Sequence, residues 1–268
     1  MIDGRLKTKR ERLIEILKQF DSLIVAFSGG VDSTLLLAVA HEVLKEKVIA
    51  ITAKSPLHPA WEKKEAIEFT KFLGVEHLIV PSKEMKIAGF RANPTDRCYI
   101  CKKMLFEDIF SIAKDKGIEQ IAHGATVDDL DDFRPGFIAA KEWGIKAPLI
   151  DAELTKDDLR ILSKGMNLKT WNKPSMACFA TRIPYGKPIT KKNLKMIARA
   201  EKIILDLGFT GCRVRLHDKM ARLEINLKEM KKILDPKNRL IIIKEFREIG
   251  FLYVAVDLEG YTQGSMNK

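Results

Sequence analysis

Three clusters of residues in this 268-residue chain have types and spacings that can do chemistry. The first is Ser28-Gly29-Gly30-Val31-Asp32-Ser33, which follows an apolar run at residues 23–27 and precedes an apolar helical pattern resuming at Thr34. That pattern reads as a buried strand, a tight glycine turn and a helix start. Gly29 and Gly30 let the backbone approach a ligand and reach φ angles closed to other residues. The helix start offers unpaired N–H groups and the positive end of its dipole, so the loop should cradle an anion, phosphate above all. Ser28 and Ser33 can add hydroxyl donors, and Asp32 can hold Mg²⁺ or orient a nucleotide. No lysine follows the second glycine, which excludes the Gly-x-x-x-x-Gly-Lys-Ser/Thr loop, and the spacing excludes Gly-x-Gly-x-x-Gly.

The second cluster is a set of cysteines, Cys98 and Cys101 in a C-x-x-C pair and Cys178 in a later Pro/Ser/Gly-rich stretch. A C-x-x-C turn can place both thiolates on one metal, with Cys178 reaching it from its loop. Three thiolates suit a [4Fe–4S] cluster with one open iron, and equally a zinc ion with an open position; a dithiol redox pair is the third option. Cys212 sits in an apolar approach to a strand and reads as a packed thiol. Around Cys178 lie Ser175, Thr181 and Arg182, and Arg182 can recognise phosphate or act on the thiol. The third cluster is Arg213, Arg215 and Arg222 on an alternating segment. Arg213 and Arg215 share a face, and two adjacent guanidiniums call for an anion such as a substrate phosphate. Glu201, midway along a Lys/Arg-rich helical stretch, has helical neighbours to pair with. Asp128, Asp129, Asp131 and Asp132 follow a strand, the first two facing either Mg²⁺ and adenosine or a helix N-terminus. His123 and His217 read as structural.

The elements that must position these groups follow from periodicity. Helices are expected at residues 4–20, 35–43, 59–73 and 104–116, and strands at 23–27, 47–53, 77–80, 120–123 and 147–150. Residues 81–97 read as a loop with a short helix. This alternation predicts an α/β fold, a parallel sheet with helices on both faces. Ligands of such sheets sit beyond the strand carboxyl ends, where the 28–33 loop, the Lys54-Ser55-Pro56 loop, the C-x-x-C and the Gly124-Ala125-Thr126 loop all emerge. Composition changes after Lys164. Residues 172–190 read as a long loop, followed by a helix at 191–207, a hairpin at 213–217 and 222–227, a helix at 241–249 and a strand at 251–257. The expected division is 1–165 for the α/β domain and 166–268 for a smaller C-terminal α+β region.

A chain that is 46% hydrophobic and 31% charged can bury a real core, and its apolar runs are too short to span a membrane. Without the apolar centre of a signal peptide, the charged N-terminal segment leads to a cytoplasmic expectation. A formal net charge of +11 attracts polyanions, nucleotides and RNA among them, but is spread along the chain rather than concentrated in one block.

SGGVDS resembles the SGGxDS loop of the PP-loop ATP pyrophosphatase superfamily, whose members cleave ATP between the α and β phosphates and adenylate a substrate oxygen. With TAKSP, RCYICK, HGATVDDLDDFRPG, PSMACFATRIPYGKPIT and RVRLHDKMARLEI, most of the chain resembles the LarE family of ATP-dependent sulfur transferases in nickel-pincer nucleotide biosynthesis. The resemblance implies ATP and Mg²⁺ at Ser28, Gly29, Gly30, Asp32 and Ser33, with Ala53, Ser55, Gly124 and Asp128 around the nucleotide. It implies a small mononucleotide substrate whose phosphate meets Arg213 and Arg215, and catalytic roles for Cys178, Lys102, Arg182 and Glu201. Cys98, Cys101 and Cys178 match the subtype that holds a [4Fe–4S] cluster carrying an extra sulfide, rather than the subtype that sacrifices one cysteine sulfur. A sulfide donor and a hexameric homo-oligomer also follow from the resemblance. Two alternatives stand beside it: a tRNA thiolase of the same superfamily, marked by salt-sensitive tRNA binding, and a non-catalytic ATP sensor with structural zinc, marked by absence of AMP formation.

Overall fold

The computed structural model describes residues 4–130, 135–174 and 176–262. Its first elements are α1 (Gly4–Lys18), β1 (Leu23–Ala26), α2 (Val31–Leu44), β2 (Val48–Lys54), α3 (Ala60–Leu73) and β3 (Glu76–Pro81). There follow α4 (Ala88–Arg91), α5 (Arg97–Lys116), β4 (Ile121–His123), α6 (Pro135–Glu142), α7 (Pro148–Asp151) and α8 (Lys156–Gly165). The remainder is α9 (Lys191–Asp206), β5 (Arg213–His217), β6 (Met220–Glu224), α10 (Met230–Leu234), α11 (Pro236–Ile249) and β7 (Tyr253–Val256). Among the described residues, no helix is long and apolar enough to cross a membrane.

The chain divides into two compact units. The first comprises the chain up to Ser55, Ala60–Glu84 and Asp96–Lys173; the second comprises Pro56–Pro59, Met85–Thr95 and the chain from Pro174 onward. The second unit therefore takes in two short segments that a simple two-span division keeps in the first.

The first unit is built on a four-stranded parallel sheet of order β3-β2-β1-β4. Side chains alternate across its faces as strand geometry requires. Leu23, Val25, Val48 and Ala50 pack with Leu13 and Leu17 of α1, Leu35 and Leu36 of α2 and Leu159 and Leu162 of α8. Ile24, Ile49, Ile51 and Ile121 point the other way, onto Phe106 and Ile109 of α5 and Ala139 and Ala140 of α6. Each fully buried Leu or Ile contributes roughly 1.5–3 kcal/mol. Helices thus cover both faces, as the alternation predicts. The chain runs from β1 outward to β2 and β3, then crosses back to β4 on the other side of β1. The loop after β1 consequently opens at the point where strand order reverses, the position at which such sheets bind ligands.

Two sequence expectations are corrected here. Residues 147–150 are not a strand: Pro148 opens α7, and only an isolated parallel bridge, Ala122 to Lys146, extends the sheet. Proline brings no N–H to a ladder and has a φ pre-set for a first helical turn. The C-x-x-C is likewise not a turn preceding a helix at 104, because α5 begins at Arg97 and both cysteines are helical.

In the second unit β5 and β6 form an antiparallel hairpin and β7 joins β6 in parallel. The second hairpin strand lies earlier than expected, at Met220–Glu224, and the last helix starts at Pro236 rather than 241. Val214, Leu216, Ala221 and Leu223 are buried, as are Leu194, Ile197 and Ile204 of α9 and Ile242 and Phe246 of α11. The same alternation puts Arg213, Arg215, Arg222 and Glu224 on the opposite face of the hairpin, with Arg213 paired to Glu224 and Arg215 to Arg222 in register.

Candidate active site

The 28–33 loop has the shape its glycines predict. Gly29 adopts φ +75°, and a Cβ there would come within 3.2 Å of the Ala66 methyl on α3. Gly30 is the N-cap of α2 and makes no side-chain cap hydrogen bond. The Ser33 hydroxyl accepts from the Ser28 N–H at 3.2 Å and bonds the Ser28 hydroxyl at 3.0 Å, and Ser28 Oγ accepts from the Gly30 N–H at 3.3 Å. Gly124, at the end of β4, closes the other side. A Cβ on it would lie 2.8 Å from Ser33 N and 3.0 Å from Asp32 C, so only glycine lets these two loops meet.

Lys173, which the sequence reading passed over, also reaches this loop. Its Nζ donates to the Gly29 carbonyl at 3.2 Å and to Glu65 at 2.8 Å, with Glu62 at 3.8 Å. The loop therefore has a lysine beside it, delivered from 144 residues away rather than from within the motif.

At the ends of β2 and β3, Ala53 is half-buried and Ser55 donates to Glu84, which also accepts from Ser82. Asp128 serves a helix N-terminus, its Oδ2 accepting from the Lys156 N–H of α8 at 2.8 Å. Asp129 is buried in a capping box with Thr126 and is paired with Lys156 at 2.7 Å. Asp131, Asp132 and Ser175 lie outside the described residues. The His123 ring packs edge-on to Phe137, and burial, with the nearby Lys102 charge, pushes its pKa down to about 4. It is neutral at physiological pH.

Cys98 and Cys101 are the second and fifth residues of α5, three apart and hence on one side of the helix, Cys98 exposed and Cys101 half-buried. Gly136 of α6 lies against Lys102 and the Cys98 carbonyl; a Cβ would come within 3.0 Å of Lys102 Cγ. Lys102 extends over the Phe106 ring, 5.7 Å from its centroid. Among the described residues, no group of three His, Cys, Asp or Glu side chains is placed to hold a metal ion.

Cys178 belongs to the second unit, half-buried, at the start of a short 3-10 turn over Phe179–Arg182. Arg182 organises this loop. Its Nη1 donates to the carbonyl of Ala177 at 2.8 Å and to Thr181 Oγ1 at 2.8 Å, while Nε and Nη2 hold Glu201 at 2.7 and 3.1 Å. Glu201 does not pair with its helical neighbours as expected. Both it and Arg182 are fully buried, and its Oε1 also accepts from the Val214 N–H at 3.0 Å. Burial opposes the Arg182 charge, and Glu201 more than offsets it, raising the pKa. Asn93, another residue the sequence reading missed, fixes the following segment by donating from Nδ2 to the carbonyls of Ile183, Pro184 and Lys187.

The arginine pair divides in character. Arg215 is held by both oxygens of Glu224, at 2.9 and 2.8 Å, so its counter-charge is supplied by the protein rather than left to a ligand. Arg213 lies over the Tyr261 ring at 4.8 Å, donates to the Cys212 carbonyl, and has its pKa lowered by burial and by the charge of Arg182. Cys212 is buried as expected, its thiol pushed up to about 12 by burial and Glu201.

The parallel sheet with a double-glycine loop at its switch point fits the PP-loop class of nucleotide-binding proteins, and residues 11–99 match the NAD synthase family model. The chain is 36% identical over 263 residues, 98% of both chains, to an uncharacterized protein of Synechocystis. It is 34% identical over 98% of its length, and 95% of the relative's, to the pyridinium-3,5-bisthiocarboxylic acid mononucleotide synthase of Lactiplantibacillus plantarum. An uncharacterized protein of Methanocaldococcus jannaschii is 30% identical over 89% of this chain and 90% of its own. With near end-to-end matches at these identities, the chain belongs to the family of pyridinium-3,5-bisthiocarboxylic acid mononucleotide synthase.

Proposed function

We infer that the chain is an ATP-dependent sulfur transferase acting on a pyridinium biscarboxylate mononucleotide. A substrate carboxylate oxygen attacks the α-phosphorus of ATP and pyrophosphate leaves; sulfide sulfur then attacks the activated acyl carbon and AMP departs with the former carboxylate oxygen. The observation that carries this reading is the 28–33 loop closed against Gly124, in a chain aligned over nearly its full length with a bisthiocarboxylic acid mononucleotide synthase.

In this reading the N–H groups at the start of α2, with Ser28, Gly29, Gly30 and Ser33, bind the ATP phosphates, and Lys173 adds positive charge beside them. Asp32 is the carboxylate suited to Mg²⁺, at the mouth of the same loop. Ala53, Ser55 and Asp128 border the nucleoside. Arg213, steadied by Tyr261, takes the substrate phosphate, with Arg215 positioned beside it by Glu224. Arg182 and Glu201 hold the Cys178 loop in shape, and Lys102 offsets charge developing on the transferred group. Cys98 and Cys101 fit an iron–sulfur cluster, since they share a side of α5 near its N-terminus, where the helix dipole favours anionic ligands, and neither is buried. Cys178 is the third thiolate of the proposal. When bound, a [4Fe–4S] cluster with three thiolate ligands keeps one iron open to carry the sulfide. A sulfide donor, a homo-oligomer and a cytoplasmic setting complete the reading.

Asp32→Ala should abolish conversion of ATP to AMP with the mononucleotide present. Unchanged pyrophosphate release by that variant would remove the loop from the mechanism.

A further inference from the structure

His77 of β3 is a titratable side chain that the chemistry above does not use, and it stands in a series of hydrogen bonds that ends at the phosphate loop. The Thr52 hydroxyl of β2 lies 2.7 Å from the Phe27 carbonyl and 2.7 Å from His77 Nε2. The other ring nitrogen, Nδ1, lies 2.9 Å from the Thr70 hydroxyl of α3. Thr52 and Thr70 are buried. The His77 ring also stands edge-on to the Phe27 ring, their centroids 5.8 Å apart. Phe27 immediately precedes Ser28, so these contacts run from α3 through β3 and β2 to the first peptide of the 28–33 loop.

A threonine hydroxyl has one proton, and a neutral imidazole has one N–H. A carbonyl has no proton to give, so the contact between Thr52 and the Phe27 carbonyl takes the Thr52 proton. His77 Nε2 must then donate to Thr52 Oγ1, which leaves Nδ1 as an acceptor. Burial lowers the His77 pKa from its ordinary value of 6.5, so the ring is uncharged at neutral pH. The Thr70 hydroxyl accordingly turns to Nδ1 rather than to the Ala66 or Ile67 carbonyl, each at 3.1 Å. All the donors run one way, Thr70 to His77 to Thr52 to Phe27, and hydrogen bonds in such a series polarise one another. The Phe27 carbonyl and the Ser28 N–H belong to one planar peptide. That N–H donates to Ser33 Oγ of α2 at 3.2 Å. The peptide is therefore pinned on both sides, by a buried threonine and by the start of the helix.

We propose that Thr52, oriented by His77, sets the direction of the Phe27–Ser28 peptide and thereby the geometry in which the 28–33 loop meets the ATP phosphates. Thr52 acts through that peptide and His77 acts through Thr52, so both are positioning residues. Were the peptide to turn, the Ser28 N–H would leave Ser33 Oγ, the same oxygen that bonds the Ser28 hydroxyl, and the loop would lose its arrangement of donors. The proposal rests on the nucleotide-binding reading given above.

The test is equilibrium binding of ATP with Mg²⁺ to the full chain and to Thr52→Val, Thr52→Ser, His77→Phe and the double variant of Thr52→Val with His77→Phe, each with a thermal melt as the check of fold. Thr52→Val keeps the shape and removes the hydroxyl, and should weaken ATP binding by about tenfold. Thr52→Ser brings the hydroxyl back and should recover most of that loss. His77→Phe should weaken binding by about threefold, and adding it to Thr52→Val should change nothing further, because the hydroxyl it acts through is already gone. Ile242→Val, a buried change in α11 of the second unit, is the control for lost stability alone and should bind ATP as the wild type does. In the wild type, NMR of the imidazole nitrogens should show His77 as the Nε2–H tautomer, a readout that depends on no variant folding. Unchanged affinity in a folded Thr52→Val, no recovery in Thr52→Ser, additive losses in the double variant or an Nδ1–H tautomer would each overturn the proposal while leaving the nucleotide-binding reading in place. A wild type that binds no ATP overturns that reading itself, and this proposal with it.

Discussion

Gly124→Ala isolates the closure of the nucleotide loop. Its added Cβ would stand 2.8 Å from Ser33 N and 3.0 Å from both Asp32 C and Ser33 Cα. All three are backbone atoms of the first turn of α2, so no flexible side chain can swing aside. Restoring an ordinary carbon contact of about 3.6 Å requires a backbone shift of about 0.8 Å. Overpacking of this kind costs about 1–3 kcal/mol, and for a chain of this size each kcal/mol lowers Tm by roughly 2–4 °C. The larger effect falls on binding. Phosphate-directed N–H groups at the start of α2 move with that turn; a 2.9 Å bond stretched by such a shift is essentially lost, at about 1 kcal/mol each. Two or three such bonds predict an ATP affinity about 30- to 150-fold weaker. Titration calorimetry with ATP and Mg²⁺, beside a thermal melt, reads both quantities. Gly89→Ala, whose Cβ meets nothing within 4 Å, is the control. A folded Gly124→Ala with unchanged ATP affinity would refute the argument that these loops close around the nucleotide.

Three other predictions follow from the same structure. Glu201→Gln leaves the fully buried Arg182 without its counter-charge and should destabilise the protein by about 3–5 kcal/mol, measured by urea unfolding; a loss under 1 kcal/mol would contradict the role given to the pair. His123 titrates at about 4 when folded and near 6.5 when unfolded, so its contribution is intact above pH 6.5 and is lost as pH falls toward 4. The wild type should therefore lose about 3 kcal/mol more than His123→Gln between pH 7 and pH 4, and parallel stability curves for the two would be inconsistent with that burial. Cys98→Ala should lose the iron and acid-labile sulfide bound after anaerobic reconstitution while ATP binding persists; full iron content in this variant would remove Cys98 from the proposed ligand set.

Much of the first unit was legible because its signals are local. Residues 23–34 read correctly as strand, loop and helix, since an apolar run, two glycines and a helical period stand in immediate succession. The start of α5 was less legible. Its N-cap, Asp96, makes no side-chain cap bond, and Cys98, Tyr99 and Ile100 are indifferent helix formers, so packing against α6 decides the boundary. Residues 147–150 were misread because an apolar tetrapeptide has no period of its own, and Pro148 outweighed it. The site residues that sequence reading missed share one property, a partner remote in the chain. Lys173 meets Gly29, Glu84 meets Ser55, and Asn93 meets the carbonyls beyond Ile183, while the residues flanking each give no hint of the partner. Glu201 shows the same effect: the Lys/Arg-rich face of α9 offers plausible partners, but the side chain turns inward to Arg182.

The most direct measurement of the central claim is a single anaerobic assay with ATP, Mg²⁺, sulfide and the pyridinium biscarboxylate mononucleotide, following AMP by chromatography and the mononucleotide by mass spectrometry. The account predicts one AMP and one pyrophosphate for each carboxylate oxygen replaced by sulfur, with both products lost in Asp32→Ala. Sulfur insertion that proceeds without AMP, or AMP formation with an unaltered mononucleotide mass, would contradict it.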